Sequence, residues 1–430
     1  MNYKERLLKA IPGGAHTYSR GFDQFPENAP QILKKGEGAY VYDINDNKFL
    51  DYGMALRAVH LGYANKDVNN AALKQIEFGN NLTRATIIEL EAAELLIDMI
   101  DSIDMVKFTK NGSTATTAAV KLSRAYTGRT MIARCAENPF FSYDDWFIGS
   151  TPVTRGIPQK DIDNIKMFHY NDIESLERLF SQYPNEIACV ILEPAVTEHP
   201  KNNFLHKIKE LCHSNGAVLI FDEMWTGFRW DIKGAEHYYN VKPDLCTYGK
   251  AMANGFSVAA VAGKREIMEL GSTEIKGRER VFLLSTTHGA EMCGLGAFVE
   301  TMRFMKEHNV VNHIWQYGDK LIKMMNNLAK EHGLEKNFVA SGIECSPYYL
   351  TFDENGQNSL GLRTLFSQEM IKNGVLMPWI ALSYAHSEKE LNLTKNALEK
   401  TFHTYSKAVN EGYEKYLKGD IIKPVFRKFN

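Results

Sequence analysis

Between residues 86 and 262, short apolar runs alternate with amphipathic stretches, and this alternation constrains the fold more than any other feature of the chain. Runs such as 187–192 (IACVIL) and 217–221 (AVLIF) are apolar throughout, without the in–out alternation of a half-exposed strand. Strands of that kind are covered on both faces, as in a parallel sheet flanked by helices. The spacing predicts strands at 105–109, 130–134, 187–192, 217–222, 244–248 and 258–262, with helices at 86–100, 114–126 and 203–214. The expected fold class is therefore α/β: a large domain with a mainly parallel sheet covered by helices, plus a smaller α+β lobe built from the C-terminus and the N-terminal segment.

Outside that stretch, residues 39–52 (AYVYDINDNKFLDY) read as a hairpin turning at residues 43–47. Residues 291–332 carry helical apolar spacing. Residues 335–430 read as strands near 337–352 and 375–384 with helices at 361–373 and 387–415. The expected division is an N-terminal segment (1–55) packing on the small lobe, a large domain (56–300) and a C-terminal small domain (301–430). Charge balances almost completely, 50 basic against 52 acidic residues, so nothing favours nucleic acid or an anionic membrane as partner. The opening MNYKERLLKAIPGG lacks the apolar core of a secretion signal, and no run is long enough to span a bilayer. Cys135, Cys189, Cys212, Cys246, Cys293 and Cys345 show neither CxxC spacing nor a histidine partner. Reduced thiols in a cytoplasmic protein without a metal site are expected.

Two strand ends carry the chemistry. Asp222 closes the apolar run 217–221, and Lys250 follows the run 244–248, 28 residues later. A buried acid beside a desolvated amine suits pyridoxal 5′-phosphate (PLP). The amine forms the Schiff base and the acid keeps the pyridine nitrogen protonated. A third strand end leads into Asn111, Gly112, Ser113 and Thr114 at the start of a helix. Unpaired amides and the positive end of the helix dipole make that turn a place for a phosphate monoester, although a well-capped helix would carry the same residues. Open α/β sheets bind ligands beyond the carboxyl ends of their strands, so the three segments can converge on one crevice. No GxGxxG opens the first strand–helix turn, which argues against a dinucleotide.

The chain resembles the class III (fold-type I) PLP-dependent aminotransferases and is similar to their glutamate-1-semialdehyde 2,1-aminomutase branch. The likeness lies in IPGGAHTYSRGF (11–22), GEGAYVYDINDNKFLDY (36–52), IDMVKFTKNGSTATTAAVKLSRAYTGR (103–129), VILEPAV (190–196), FDEMWTGFR (221–229), YGKAMANGFSVAAVAGK (248–264) and STTHGAEM (285–292). It implies that Lys250 is the Schiff-base lysine and the base that moves the 1,3-proton. Asp222 would bind the pyridine nitrogen, Met224 would pack on one ring face, and Gly112 and Ser113 would hold the phosphate. Thr287 would reach the phosphate of a neighbouring subunit, which implies a homodimer with shared sites.

The departures from the family pattern bear on the substrate. Phe140, Phe141 and Ser142 replace the usual Tyr-His-Gly, with Phe140 still able to offer an aromatic face. Leu56 stands where the aminomutase branch has tryptophan, with Arg57 beside it, and Glu198 stands where an asparagine is expected. Arg20 occupies the position of an arginine that grips a substrate carboxylate, a task suited to a bidentate guanidinium. The expectation is an aminotransferase that moves an amino group, with L-glutamate as donor, to the aldehyde or ketone of a sugar or sugar acid, in surface-polysaccharide synthesis. The alternative is the aminomutase of tetrapyrrole synthesis. Racemisation or decarboxylation would use the same Lys–Asp pair, whereas an inactive scaffold would have lost it. His60 and His288 read as substrate contacts or structural histidines, Trp225 and Trp230 as packing anchors, and Asp144-Asp145 as a solvated turn.

Overall fold

Seven strands form the central sheet: β1 (Met105–Thr109), β2 (Met131–Cys135), β3 (Ile165–Phe168), β4 (Ile187–Leu192), β5 (Val218–Asp222), β6 (Leu245–Tyr248) and β7 (Ala259–Gly263). The computed structural model describes residues 2–195 and 197–430. Met1 and Val196, the last residue of the VILEPAV motif, lie outside the described residues. The strand order is β1-β7-β6-β5-β4-β2-β3. β2 through β6 pair in parallel, and β7 runs antiparallel to both β6 and β1. The carboxyl ends of the other six strands therefore share one edge. This is the α/β architecture expected from the sequence.

β4, β5 and β7 are buried at every position, as continuous apolar runs covered on both faces must be. The helices Ile173–Gln182 and Phe204–Ser214 cover one face, where Leu176, Phe180, Leu205 and Ile208 pack on Val190, Leu219 and Phe221. The long helix Gly112–Thr127 packs against β4, β6 and β7 and buries Ala115, Ala118, Ala119 and Leu122; its alanines allow close approach. It stops at Gly128, whose φ of 70° is a left-handed cap that glycine adopts without strain.

The chain divides into two compact units, residues 66–311 and residues 1–65 with 312–430. The sequence had placed these divisions at 55/56 and 300/301. The second unit contains the meander Leu33–Glu37, Tyr40–Asp43 and Lys48–Asp51, to which Val375–Leu376 adds in parallel. It also holds the hairpin Phe338–Ile343 and Ser346–Thr351 and the helices Leu360–Lys372 and Glu388–Glu411. The stretch 375–384, expected as a strand throughout, joins a ladder only at its first two residues.

Candidate active site

The register of the sheet sets Asp222, the last residue of β5, directly against Thr247 on β6. Asp222 is buried, and its Oδ1 accepts hydrogen bonds from the Met224 amide and the Thr247 hydroxyl, both at 3.0 Å. Burial pushes its carboxyl up to about 6, and the Lys250 charge and these two donors pull it back. Lys250 begins the turn Lys250–Ala253 just beyond β6, half-buried, with φ at 45°. A lysine in the left-handed region is uncommon, and such backbone is kept where surrounding structure over-determines it. Its Nζ lies 5.9 Å from the centre of the Trp225 ring, within range of cation–π attraction. Trp225 is thus a neighbour of the candidate lysine and not only a packing anchor. Trp230 is buried, its indole donating to the Tyr239 hydroxyl at 3.0 Å.

The third strand end meets the first two through Met224. A Cβ at Gly112 would come within 3.0 Å of the Met224 sulfur, and one at Gly249 within 2.6 Å. Glycine at both positions lets the methionine lie against the two backbones. The helix begins at Gly112, and its cap is Asn111, whose Oδ1 accepts the Thr114 amide at 2.9 Å and hydroxyl at 3.0 Å. The amides of Gly112 and Ser113 have no acceptor within the helix, which is the arrangement a phosphate needs.

The loop after β2 is tied to the same helix. The Tyr143 amide donates to Ser113 Oγ at 3.2 Å, and Thr116 donates to the Phe141 carbonyl at 2.9 Å. Asp144 accepts from the Thr117 hydroxyl and heads the turn Asp145–Ile148, so it is not the solvated residue expected; Asp145 is exposed. Phe141 is buried against Trp146 and Phe147, whereas Phe140 is 46 % exposed. Phe140 is the phenylalanine of the pair with a face to offer.

The remaining expected contacts fall in different places. Thr287 and His288 are exposed, with Asn81 Nδ2 donating to the Thr287 carbonyl at 3.1 Å. Glu198 lies on the surface, paired with Lys201 at 2.5 Å and accepting from Asn171 at 3.0 Å, and Lys201 holds its carboxyl below the usual range. Its two oxygens are engaged by these neighbours. In the other unit, Arg20 and Leu56 line a cavity of about 470 Å³ together with Phe22, Phe25, Tyr63 and Trp379. The Arg57 guanidinium sits 6.0 Å from the Trp379 ring centre, and His60 is buried.

The sequence reading did not single out Thr247, although its place opposite a strand-end acid was a usable signal. It also passed over Asn138, which no local pattern marks. Asn138 Oδ1 accepts the Glu193 amide at 3.0 Å beyond the ends of β2 and β4, and its buried Nδ2 has no partner among the described residues. An orphaned donor, a buried carboxylate with an amine beside it, and two amides at a helix start together fit a polar, phosphorylated heterocycle such as PLP.

The fold and these strand ends define a fold-type I PLP enzyme. The family model described as aminotransferase class-III matches residues 23–346. The chain belongs to the class-III aminotransferase family, whose cofactor is PLP. It is 30 % identical to glutamate-1-semialdehyde 2,1-aminomutase of Francisella tularensis subsp. tularensis over 91 % of this chain and 95 % of that protein. It is 31 % identical to 3-aminobutyryl-CoA aminotransferase of Cloacimonas acidaminovorans over 93 % of this chain and 96 % of that protein. The solved structure of the Sphingopyxis sp. MTA144 FumI protein, in its PLP internal aldimine form, superposes with a TM-score of 0.86 at 25 % identity, covering 95 % of this chain and 97 % of the other.

Proposed function

We propose that the enzyme takes an amino group from L-glutamate and gives it to the aldehyde or ketone of a sugar acid or related sugar, in the cytoplasm, for surface-polysaccharide synthesis. The observation that carries this reading is the cavity of about 470 Å³ that Arg20 lines together with Leu56 and aromatic rings. A guanidinium in a partly apolar cavity grips a carboxylate bidentately, and leucine in place of tryptophan leaves room for a bulkier skeleton. Arg57 would meet a further polar group of the substrate. Glu198, engaged with Lys201, is left without a substrate role in this reading.

When bound, PLP supplies an electron sink for the carbon that loses its proton. Ionised Asp222 would hold a proton at the pyridine nitrogen, and Lys250 would bond the cofactor and carry a proton between substrate carbon and cofactor. The Gly112 and Ser113 amides would bind the phosphate, with Met224 and Phe140 against the ring. Thr287 would complete the phosphate grip of a second copy, which makes the active form a homodimer.

The test is the cofactor absorbance of purified protein before and after L-glutamate. Conversion to the pyridoxamine form with release of 2-oxoglutarate supports the reading. A spectrum unchanged by glutamate counts against this donor and favours the second reading, glutamate-1-semialdehyde aminomutase, which the Francisella relative supports. Arg20→Ala should weaken binding of carboxylate-bearing substrates by about 1.5–3 kcal/mol, the scale of a charged hydrogen bond. Unchanged apparent affinity would remove Arg20 from the carboxylate grip.

A further inference from the structure

Met54, Ala55, Leu56 and Arg57 have φ values of 39°, 49°, 62° and 69°, the longest run of non-glycine residues in the left-handed region among those described. Side-chain crowding disfavours this backbone at every one of the four positions, so the turn must be held. Three side chains hold it. Asp51, buried at the end of its strand, accepts the Gly53 amide at 2.7 Å and the Met54 amide at 3.1 Å. Trp379 donates its indole N–H to the Gly53 carbonyl at 3.0 Å.

Tyr63, the third, joins the two halves of this arrangement. Its hydroxyl donates to Asp51 Oδ2 at 2.6 Å and accepts the Ala55 amide at 2.9 Å. The tyrosine cannot easily move. Its backbone pairs with Gly38 in both directions, at 2.9 and 2.7 Å, and its ring lies so close to the strand Leu33–Glu37 that a Cβ on Gly36 would stand 2.6 Å from Cγ. Tyr63, Asp51, Ala55 and Leu56 all line the same cavity as Arg20.

We propose that Tyr63 is a positioning residue: by clamping the left-handed turn Met54–Arg57 it fixes the wall that Ala55 and Leu56 present to the Arg20 cavity, and so sets which carboxylate-bearing reactant fits. The proposal rests on the reading of Arg20 as the carboxylate grip. Without the hydroxyl, the Ala55 amide loses its acceptor and Asp51 Oδ2 keeps only the Met54 amide, and the turn can relax toward right-handed backbone. Leu56 then moves relative to Arg20. A glycine at position 55 adopts φ near 49° without crowding and should make the clamp unnecessary there.

The experiment compares holoenzyme of wild type, Tyr63→Phe, Ala55→Gly, the double variant and Arg20→Ala. Three quantities are read: Tm, the dissociation constant of glutarate (an unreactive dicarboxylate) and the bound-cofactor absorbance. Tyr63→Phe should lower Tm and weaken glutarate about tenfold or more, with the cofactor absorbance unchanged. Ala55→Gly alone should keep or raise Tm, and the double variant should bind glutarate within about threefold of wild type. Glutarate binding by Tyr63→Phe at the wild-type level, or no rescue by glycine, overturns the proposal. If glutarate binds wild type and Arg20→Ala equally weakly, the Arg20 reading has failed. The turn is then judged by Tm: a loss in Ala55→Gly of the size glycine causes in ordinary backbone overturns it, and a preserved Tm upholds it.

Discussion

Lys250→Ala is expected to abolish amine transfer while leaving a folded protein. The variant loses the amine beside Asp222 at the strand ends, which under the proposed function would be both the covalent hold on the cofactor and the proton carrier. Losing a positioned acid–base group alone costs about 10²–10⁴-fold, and losing the covalent step adds to it, so turnover should fall by at least about 10⁴-fold. Folding should survive, because alanine tolerates the left-handed φ of 45° as poorly as lysine does and no worse. Steady-state turnover and the thermal melt check this. Turnover within about 10²-fold of wild type would remove Lys250 from its role.

Asp222→Asn should separate function from stability. The carboxyl is pushed up from 3.8 to about 6 by burial, so in the fold it keeps its proton up to about pH 6 while the unfolded chain loses it near pH 4. Its contribution to stability is therefore fully present below about pH 4 and is lost as pH rises to about 6. Above that, the ionised acid costs the cofactor-free protein about 3 kcal/mol. Asparagine has the same shape and no such titration. The cofactor-free variant should exceed cofactor-free wild type by up to about 3 kcal/mol at pH 8, and the gap should close toward pH 4. Urea unfolding at both pH values measures it. Amine transfer should meanwhile fall at least about 10²-fold, the scale of losing one preorganised charge. Equal stability of the two proteins at pH 8 would mean that burial does not strain Asp222.

These two residues also show how much the sequence discloses. Asp222 and Lys250 were readable because each follows a continuous apolar run, and such runs have few alternatives to a parallel strand covered on both faces. The strands 105–109 and 187–192 fall where that pattern puts them, and the other four expected in this sheet fall within one residue. β3 (IKMF) was not expected. It is a four-residue edge strand with only its two ends buried, too short and too mixed for periodicity to register. The surroundings of Glu198 and Asp144 were out of reach for a related reason. A charged residue in a loop gives no sign of which neighbour will engage it, and here Lys201 reaches the first and the Thr117 hydroxyl the second.

By itself, then, the sequence determined the α/β layering, the family and the three strand ends at which the acid, the amine and the glycine turn are placed. All of these follow from local pattern: apolar period, turn chemistry and the order of motifs. The tertiary structure alone decided what surrounds them. It set Thr247 opposite Asp222, brought Met224 between Gly112 and Gly249, turned Phe140 outward and Phe141 inward, and bent Met54–Arg57 into a left-handed turn under Tyr63. Each of those depends on register or on contacts between segments distant in the chain, and no local propensity encodes a left-handed turn of Met, Ala, Leu and Arg. Long-range hydrogen bonds outweigh local preference there, and only the folded chain contains them.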